Sequence, residues 1–179
     1  MRYRRHYIEG GSYFFTVNLA ERNRRLLVEY VDTLRAAIHS VRNRHPFQID
    51  AIVIMPNHLH AIFTMPTGDA DYSTRWMLIK AGFSRNIPKT ERVNASRHSK
   101  GERGIWQRRF WEHTLQDEDD FRHHVDYIHY NPVKHGYVTR PADWPHSSIH
   151  RHIHAGILAP DWATASHEND KLFGQRRLG

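Results

Sequence analysis

Ile52-Val53-Ile54-Met55-Pro56-Asn57-His58-Leu59-His60-Ala61-Ile62-Phe63 is the stretch from which the fold is read. Two apolar runs, Ala51 to Met55 and Ala61 to Met65, flank a polar break at Pro56-Asn57. Runs of this length, rich in Ile, Val and Phe and split by Pro-Asn, predict two strands joined by a tight turn. Side chains alternate along a strand, so His58 and His60 share one face while Leu59 points into the core. Two imidazoles held side by side on a sheet can chelate one metal ion with little ordering cost. The spacing does not compel that use. With 16 His in 179 residues, about one His-x-His pair is expected by chance. The chain holds three, His58/His60, His150/His152 and His152/His154, and only the first lies in an apolar, strand-like run. Two polar residues on a solvated sheet face are the alternative.

Upstream, Gly10-Gly11-Ser12 breaks the chain before Tyr13 to Leu19, an aromatic and β-branched run that predicts the first strand. From Glu29 to about Arg44 the pattern is helical. Leu27, Val31, Leu34, Ile38 and Val41 follow one another at offsets of 4, 7, 11 and 14, one face of a 3.6-residue period. Phe47–Met55 and Asn57–Met65 are the second and third strands. A second helix runs from about Ser73 to Asn86 with Trp76, Ile79 and Phe83 inward. Residues 88–104 read as a polar, basic, mobile loop, and Ile105 to Leu115 as a fourth strand. A third helix starts at Glu118, capped by Asp117, with acidic residues at the positive end of its dipole. Asn131-Pro132 is expected to end it near Tyr130, because a residue before Pro is pushed out of the helical region. Beyond Val133 the chain reads as loop, with a short helix around Ser147–His154. This order predicts an α+β protein: a split βαββαβ sandwich, an antiparallel sheet with helices packed on one face and an extra C-terminal helix or loop segment.

Composition narrows the class. The 39% hydrophobic fraction suffices for one core and 12% aromatic content argues against disorder. A formal net charge of +7 favours a polyanionic partner, nucleic acid being the commonest. The absence of Cys excludes disulfides, thiolate zinc sites and a Cys nucleophile. The basic start, Met1-Arg2-Tyr3-Arg4-Arg5, is followed by no apolar signal core, and no segment is long enough to span a bilayer. A cytoplasmic protein is expected.

On a helical wheel, Phe121, Val125 and Ile128 of the third helix face the sheet. Tyr127 and Asn131, four apart, share a stripe beside that apolar face with His124. Tyr130 points nearly opposite, into solvent. A tyrosine reaching a site on the sheet would therefore be Tyr127, although most tyrosines at such an edge are packing residues with a wet hydroxyl.

The stretches Tyr3-Arg4-Arg5, Gly10-Gly11, Tyr13 to Val17, Met55-Pro56-Asn57-His58-Leu59-His60, Trp106 to His113, Tyr127 to Gly136, Asp143 to Ser148 and Asp161-Trp162 occur in that order. In this combination the chain resembles the REP-associated tyrosine transposases, relatives of the single-tyrosine insertion-sequence transposases in the HUH (His-hydrophobe-His) nuclease superfamily. The likeness runs from residue 1 to about 163, one domain, leaving 164–179 as a basic tail. It implies a ferredoxin-like fold of the split kind. It also implies a divalent metal, Mg²⁺ or Mn²⁺, held by His58, His60 and Asn131, with Tyr127 as the nucleophile. The substrate it implies is single-stranded DNA folded as a hairpin, the palindromic repeats between bacterial genes.

A metal on three neutral ligands neutralises phosphate charge and leaves positions open for phosphate oxygens. Attack by a tyrosine stores the broken bond in a covalent phosphotyrosine, which suits rejoining better than hydrolysis. Arg2, Arg4, Arg5, Arg22, Arg24, Arg25, Lys80, Arg108, Arg109 and Lys134 are candidate phosphate contacts, and Tyr3, Trp106 and Trp111 candidate stacking surfaces for unpaired bases. A monomer is slightly favoured. The competing readings are a non-catalytic ferredoxin-like nucleic-acid-binding module and a metal-dependent hydrolase using water. If the basic set contacts phosphates, affinity for hairpin DNA, measured by fluorescence anisotropy, will fall steeply between about 50 and 200 mM salt. A flat response would count against that set.

Overall fold

The Pro56-Asn57 break makes the turn expected of it. The Met55 amide donates to the His58 carbonyl at 2.9 Å, and the two apolar runs pair antiparallel from there. The computed structural model describes residues 7–163. Strand β1 (Ser12–Asn18) leads through a one-turn helix α1 (Leu26–Glu29) to α2 (Val31–Arg44), then to β2 (Gln48–Ile54) and β3 (His58–Thr64). Helix α3 (Tyr72–Arg85), a short α4 (Ala95–His98), β4 (Trp111–Thr114) and the long α5 (Glu118–Lys134) follow. A 3-10 turn (Pro141–Asp143) and α6 (Ile149–His154) come last. The sheet order is β2-β3-β1-β4 with every neighbouring pair antiparallel, the expected split βαββαβ arrangement.

Alternation along the strands buries both faces. Tyr13, Phe15 and Val17 of β1 join Leu59, Ala61 and Phe63 of β3 under Leu34, Ile38 and Val41 of α2 and Trp76, Ile79 and Phe83 of α3. Trp76 stacks on Phe63 with ring centroids 4.8 Å apart and meets Phe15 edge-on at 5.4 Å. On the opposite face Phe14, Ala51, Val53 and Ile62 receive Ile128 of α5, with Phe121 and Val125 packed at its margin. Helices on one face only is therefore corrected: Phe14, Ile62, Ala51 and Val53 make the second face apolar enough to need its own cover, and α5 supplies it.

Four further expectations change. Helix α5 runs through Pro132 to Lys134. Proline near a helix's last turn forfeits one hydrogen bond without halting the backbone. The stop is Gly136, at φ +71°, where the Tyr137 amide donates back to the Pro132 carbonyl at 3.0 Å. Tyr130, expected in solvent, is 1% exposed. A wheel drawn against the sheet counts one wall only, and the chain after α5 builds another: buried His129 meets Ser148 at 2.9 Å and the His152 ring at 4.6 Å. The fourth strand shrinks to four residues, because Ile105–Phe110 crosses under α3, where Trp106 is buried against Phe83. Residues 88–104 are tied down by Arg103, which pairs with Glu91 at 2.6 Å and donates to the carbonyls of Ile87 and Pro88.

The outer edge of β2 is paired as well. The Ile54 amide donates to the His146 carbonyl and the Ser148 amide to the Ile52 carbonyl, each at 2.8 Å. Among the described residues no helix is long and apolar enough to cross a membrane. The packing of Trp76 identifies the core's most sensitive position: Trp76→Ala should cost about 3–5 kcal/mol in urea unfolding. A loss under about 1 kcal/mol would mean the α3 face is not the principal core.

Candidate active site

His58 and His60 lie on the face of β3 that α5 covers. The register sets His60 opposite Thr16 and Val53, and His58 opposite Asn18. Each ring is oriented through Nδ1. His60 Nδ1 meets the Thr16 hydroxyl at 2.8 Å, and His58 Nδ1–H donates to Asn57 Oδ1 at 2.7 Å. The Asn57 amide group faces that way because its Nδ2 donates to the Arg22 carbonyl. Nδ1 being engaged, each ring turns Nε2 toward α5, and at His58 the tautomer is fixed because an amide oxygen only accepts. Their rings stand 5.0 Å apart.

From above, α5 brings Tyr127 and Asn131 to the pair. The Tyr127 ring lies 5.2 Å from His60, edge-on, and 5.8 Å from Phe14. Asn131 is fully buried one turn on; its amide faces His58 and Tyr127, yet neither its oxygen nor its nitrogen makes a hydrogen bond of good geometry. A buried amide is costly to leave unsatisfied, so such a group marks a place where a further ligand belongs. Lys134 sets its ammonium 4.8 Å above the Tyr127 ring, and the exposed His135 stands 5.2 Å from His58.

Burial dominates the electrostatics. It pushes the His58 pKa down to about 4, helped by the positive charges of His135 and Arg22. It lowers His60 strongly as well, with His58, His135 and Lys134 adding to the effect. Both imidazoles are neutral at pH 7, the state in which they can donate a lone pair to a metal. Burial also raises the Tyr127 phenol, which is 6% exposed and stays protonated at neutral pH. Two neutral imidazoles and an unsatisfied amide converging beneath a phenol fit a divalent cation.

The remaining expected residues divide. Arg2, Tyr3, Arg4 and Arg5 lie outside the described residues, as does the 164–179 tail. Arg22 and Arg25 are exposed beside the β2–β3 turn, and Arg109 and Trp111 are exposed near β4. Trp111 meets Phe14 edge-on at 5.6 Å, on the same face as His60. Arg108 is exposed but paired with Glu102 at 3.0 Å. Three others are drawn into the fold. Arg24 donates to Thr90, Lys80 donates to the Gln107 carbonyl at 2.9 Å, and the Trp106 indole N–H donates to Ser84 at 3.1 Å. Trp106 is a core residue and not a stacking surface. Thr16, Asn57 and His135 belong to the site and were not foreseen. A Thr on an apolar strand carries no signal, but Asn57, next to His58, and His135, one turn past Asn131, were within reach of the same spacing argument.

With this geometry in view, similarity to known proteins becomes informative. Residues 9–131 match the family described as "Transposase IS200 like". The chain belongs to that family, whose class is the DNA strand transferase and endonuclease. Within it the likeness is to REP-associated tyrosine transposases. One from Escherichia coli (strain K12) is 47% identical over 161 residues, covering 90% of each chain. Another from Haemophilus influenzae, bearing that designation provisionally, is 45% identical over 161 residues, covering 89% of this chain and 92% of its own. A solved REP-associated tyrosine transposase bound to a REP hairpin is 43% identical, with a TM-score of 0.79 and coverage of 100% of this chain and 99% of that one.

The depressed histidines make stability depend on pH. Between about 6.5, where an ordinary imidazole titrates, and about 4, the value for His58, the unfolded chain binds a proton that the folded chain refuses. The stabilisation is complete above that window and is lost as pH falls through it. Urea unfolding with chelator present should show a loss of about 3 kcal/mol from His58 alone, and His58→Asn should reduce the slope by that share, leaving the part due to His60 and His129. Constant stability from pH 6.5 to 4 would contradict the burial argument.

Proposed function

We propose that this protein cleaves and rejoins single-stranded DNA folded as a hairpin, with Tyr127 as nucleophile and His58, His60 and Asn131 as ligands of a divalent ion, Mg²⁺ or Mn²⁺. The observation that carries the reading is the Tyr127 ring 5.2 Å from His60, with the unsatisfied Asn131 amide one helical turn away. The ion, when bound, supplies positive charge to the scissile phosphate and its leaving oxygen. The rest of the chemistry falls to the chain. The Tyr127 oxygen forms a bond to phosphorus as the bond from phosphorus to the 3′ oxygen breaks. The products are a 5′-phosphotyrosine and a free 3′-OH. One phosphoester replaces another, so a second 3′-OH can reverse the step and regenerate the phenol without ATP.

Lys134 suits this step, because its ammonium over the ring face favours the phenolate as it forms. Asn57 holds the His58 imidazole in one tautomer, Thr16 orients the His60 ring, and Phe14 packs edge-on against the Tyr127 ring. Arg22, Arg25, Arg108, Arg109 and Lys134 are the exposed cations proposed to meet the DNA backbone, and Trp111 the ring proposed to stack on an unpaired base. The relative solved with a REP hairpin supports a hairpin as ligand. We read residues 1–163 as one domain, acting as a monomer in the cytoplasm.

Incubating the protein with labelled single-stranded hairpin DNA and Mn²⁺, followed by a denaturing gel, tests this. An SDS-resistant shifted band should form, vanish in Tyr127→Phe and persist in Tyr130→Phe. Cleavage without that band would establish a hydrolase, and tight binding without cleavage a binding module. Either result would overturn the proposal.

A further inference from the structure

At the other end of α5 lies a group that the proposed chemistry does not use. We infer that His113, Asp120 and His124 form a second metal site, for a transition ion of the zinc type, distinct from the His58–His60–Asn131 group. His113 comes from β4, and Asp120 and His124 lie one turn apart on α5. His113 Nε2 is 2.8 Å from Asp120 Oδ2, and His124 Nδ1 is 3.0 Å from Asp120 Oδ1. The three potential ligand atoms all fall within 4.8 Å of one another. Two further contacts complete the polar surroundings: the Gln116 backbone N–H donates to Asp120 Oδ2 at 2.9 Å, and His124 Nδ1–H donates to the Asp120 carbonyl at 2.8 Å, a proton that an ion bound at Nδ1 displaces.

The rings are held in place before any ion arrives. His113 and His124 stack at 4.9 Å, Trp111 lies parallel to His113 at 6.0 Å, and Phe14 packs on His124 at 4.7 Å. Four-coordinate zinc, with bonds of about 2.0–2.1 Å, sets its ligand atoms about 3.3 Å apart. The two nitrogen–oxygen separations, made to different oxygens of Asp120, must open by a few tenths of an ångström, and the wider spread of up to 4.8 Å must close by side-chain rotation, for one ion to be held. Two imidazoles and one carboxylate prefer zinc, nickel or cobalt to magnesium. The three side chains are 21%, 21% and 13% exposed, so an ion can enter from solvent and keep water on its remaining positions. Phe14, in contact with both His124 and Tyr127, separates this group from the phenol. The ion's role is therefore structural: it fastens β4 to the helix that carries Tyr127.

The test uses the full-length, untagged protein carrying His58→Ala and His60→Ala, which removes the first group. Zn²⁺ binding is followed by equilibrium dialysis and by thermal melting. The parent should take up one more equivalent than the same chain with His113→Gln or Asp120→Asn, and affinity at that equivalent should drop at least a hundredfold. Zn²⁺ should raise the melting temperature of the parent and not of the variants, whose folding is checked by their ion-free melts. Co²⁺ should give tetrahedral visible bands that His113→Gln abolishes. Equal uptake in parent and variants, or Zn²⁺ without effect on the parent's melting, would overturn the inference. Neither result bears on Tyr127 chemistry.

Discussion

Helix α5 meets the sheet through Ile128, seated on Phe14, Ala51, Val53 and Ile62, and that apolar contact fixes where everything else on the helix goes. Burying a side chain of this kind stabilises by about 1.5–3 kcal/mol, and Phe121 and Val125 extend the contact toward the helix start. Once the stripe is seated, a 3.6-residue period leaves no freedom. Tyr127 and Asn131 must stand beside it, over β3. The arrangement proposed for catalysis is in this sense a by-product of core packing. The precision proposed for the chemistry comes from the rigidity of a helix docked on a sheet.

The same contact explains why so many histidines are tolerated inside this protein. His58, His60 and His129 are buried, and burial holds each imidazole neutral, with His129 lowered to about 3. A neutral imidazole carries no Born penalty and keeps one acceptor and one donor to satisfy. His58 and His60 each have Nδ1 engaged, and His129 places Nε2 against Ser148. The pair on β3 differs from His129 in what lies opposite: an unsatisfied amide and a phenol in one case, the chain returning from α6 in the other.

Much of the fold was legible because its signals are local. The Pro56-Asn57 turn, the α2 and α3 faces and the Asp117 cap all follow from spacing, and the observed elements agree to within a residue or two over β1, β2, β3, α3 and α6. What escaped depends on contacts distant in sequence. Arg75 carries no local signal of burial, yet it is buried on α3, paired with Asp69 at 2.7 Å and donating to the Pro46 carbonyl. Lys80 and Trp106 join across 26 residues, and Tyr130 is enclosed in a region that the later chain returns to. The proposed site was half visible. The His-x-His pair and the Tyr127/Asn131 stripe are periodic, whereas their meeting is a property of strand order, and Thr16 enters only through the β1–β3 register.

The segment around His146–Ser148 that pairs with β2 has a wider meaning. A sheet margin with bare amides and carbonyls invites another chain to continue it. Here one margin is occupied by the protein's own backbone, and the other is a strand only four residues long. Association by strand addition is thereby discouraged at both ends. A partner is thus not met by lengthening this sheet, and the charge and shape of the exposed side chains can be tuned without disturbing the ladder beneath them.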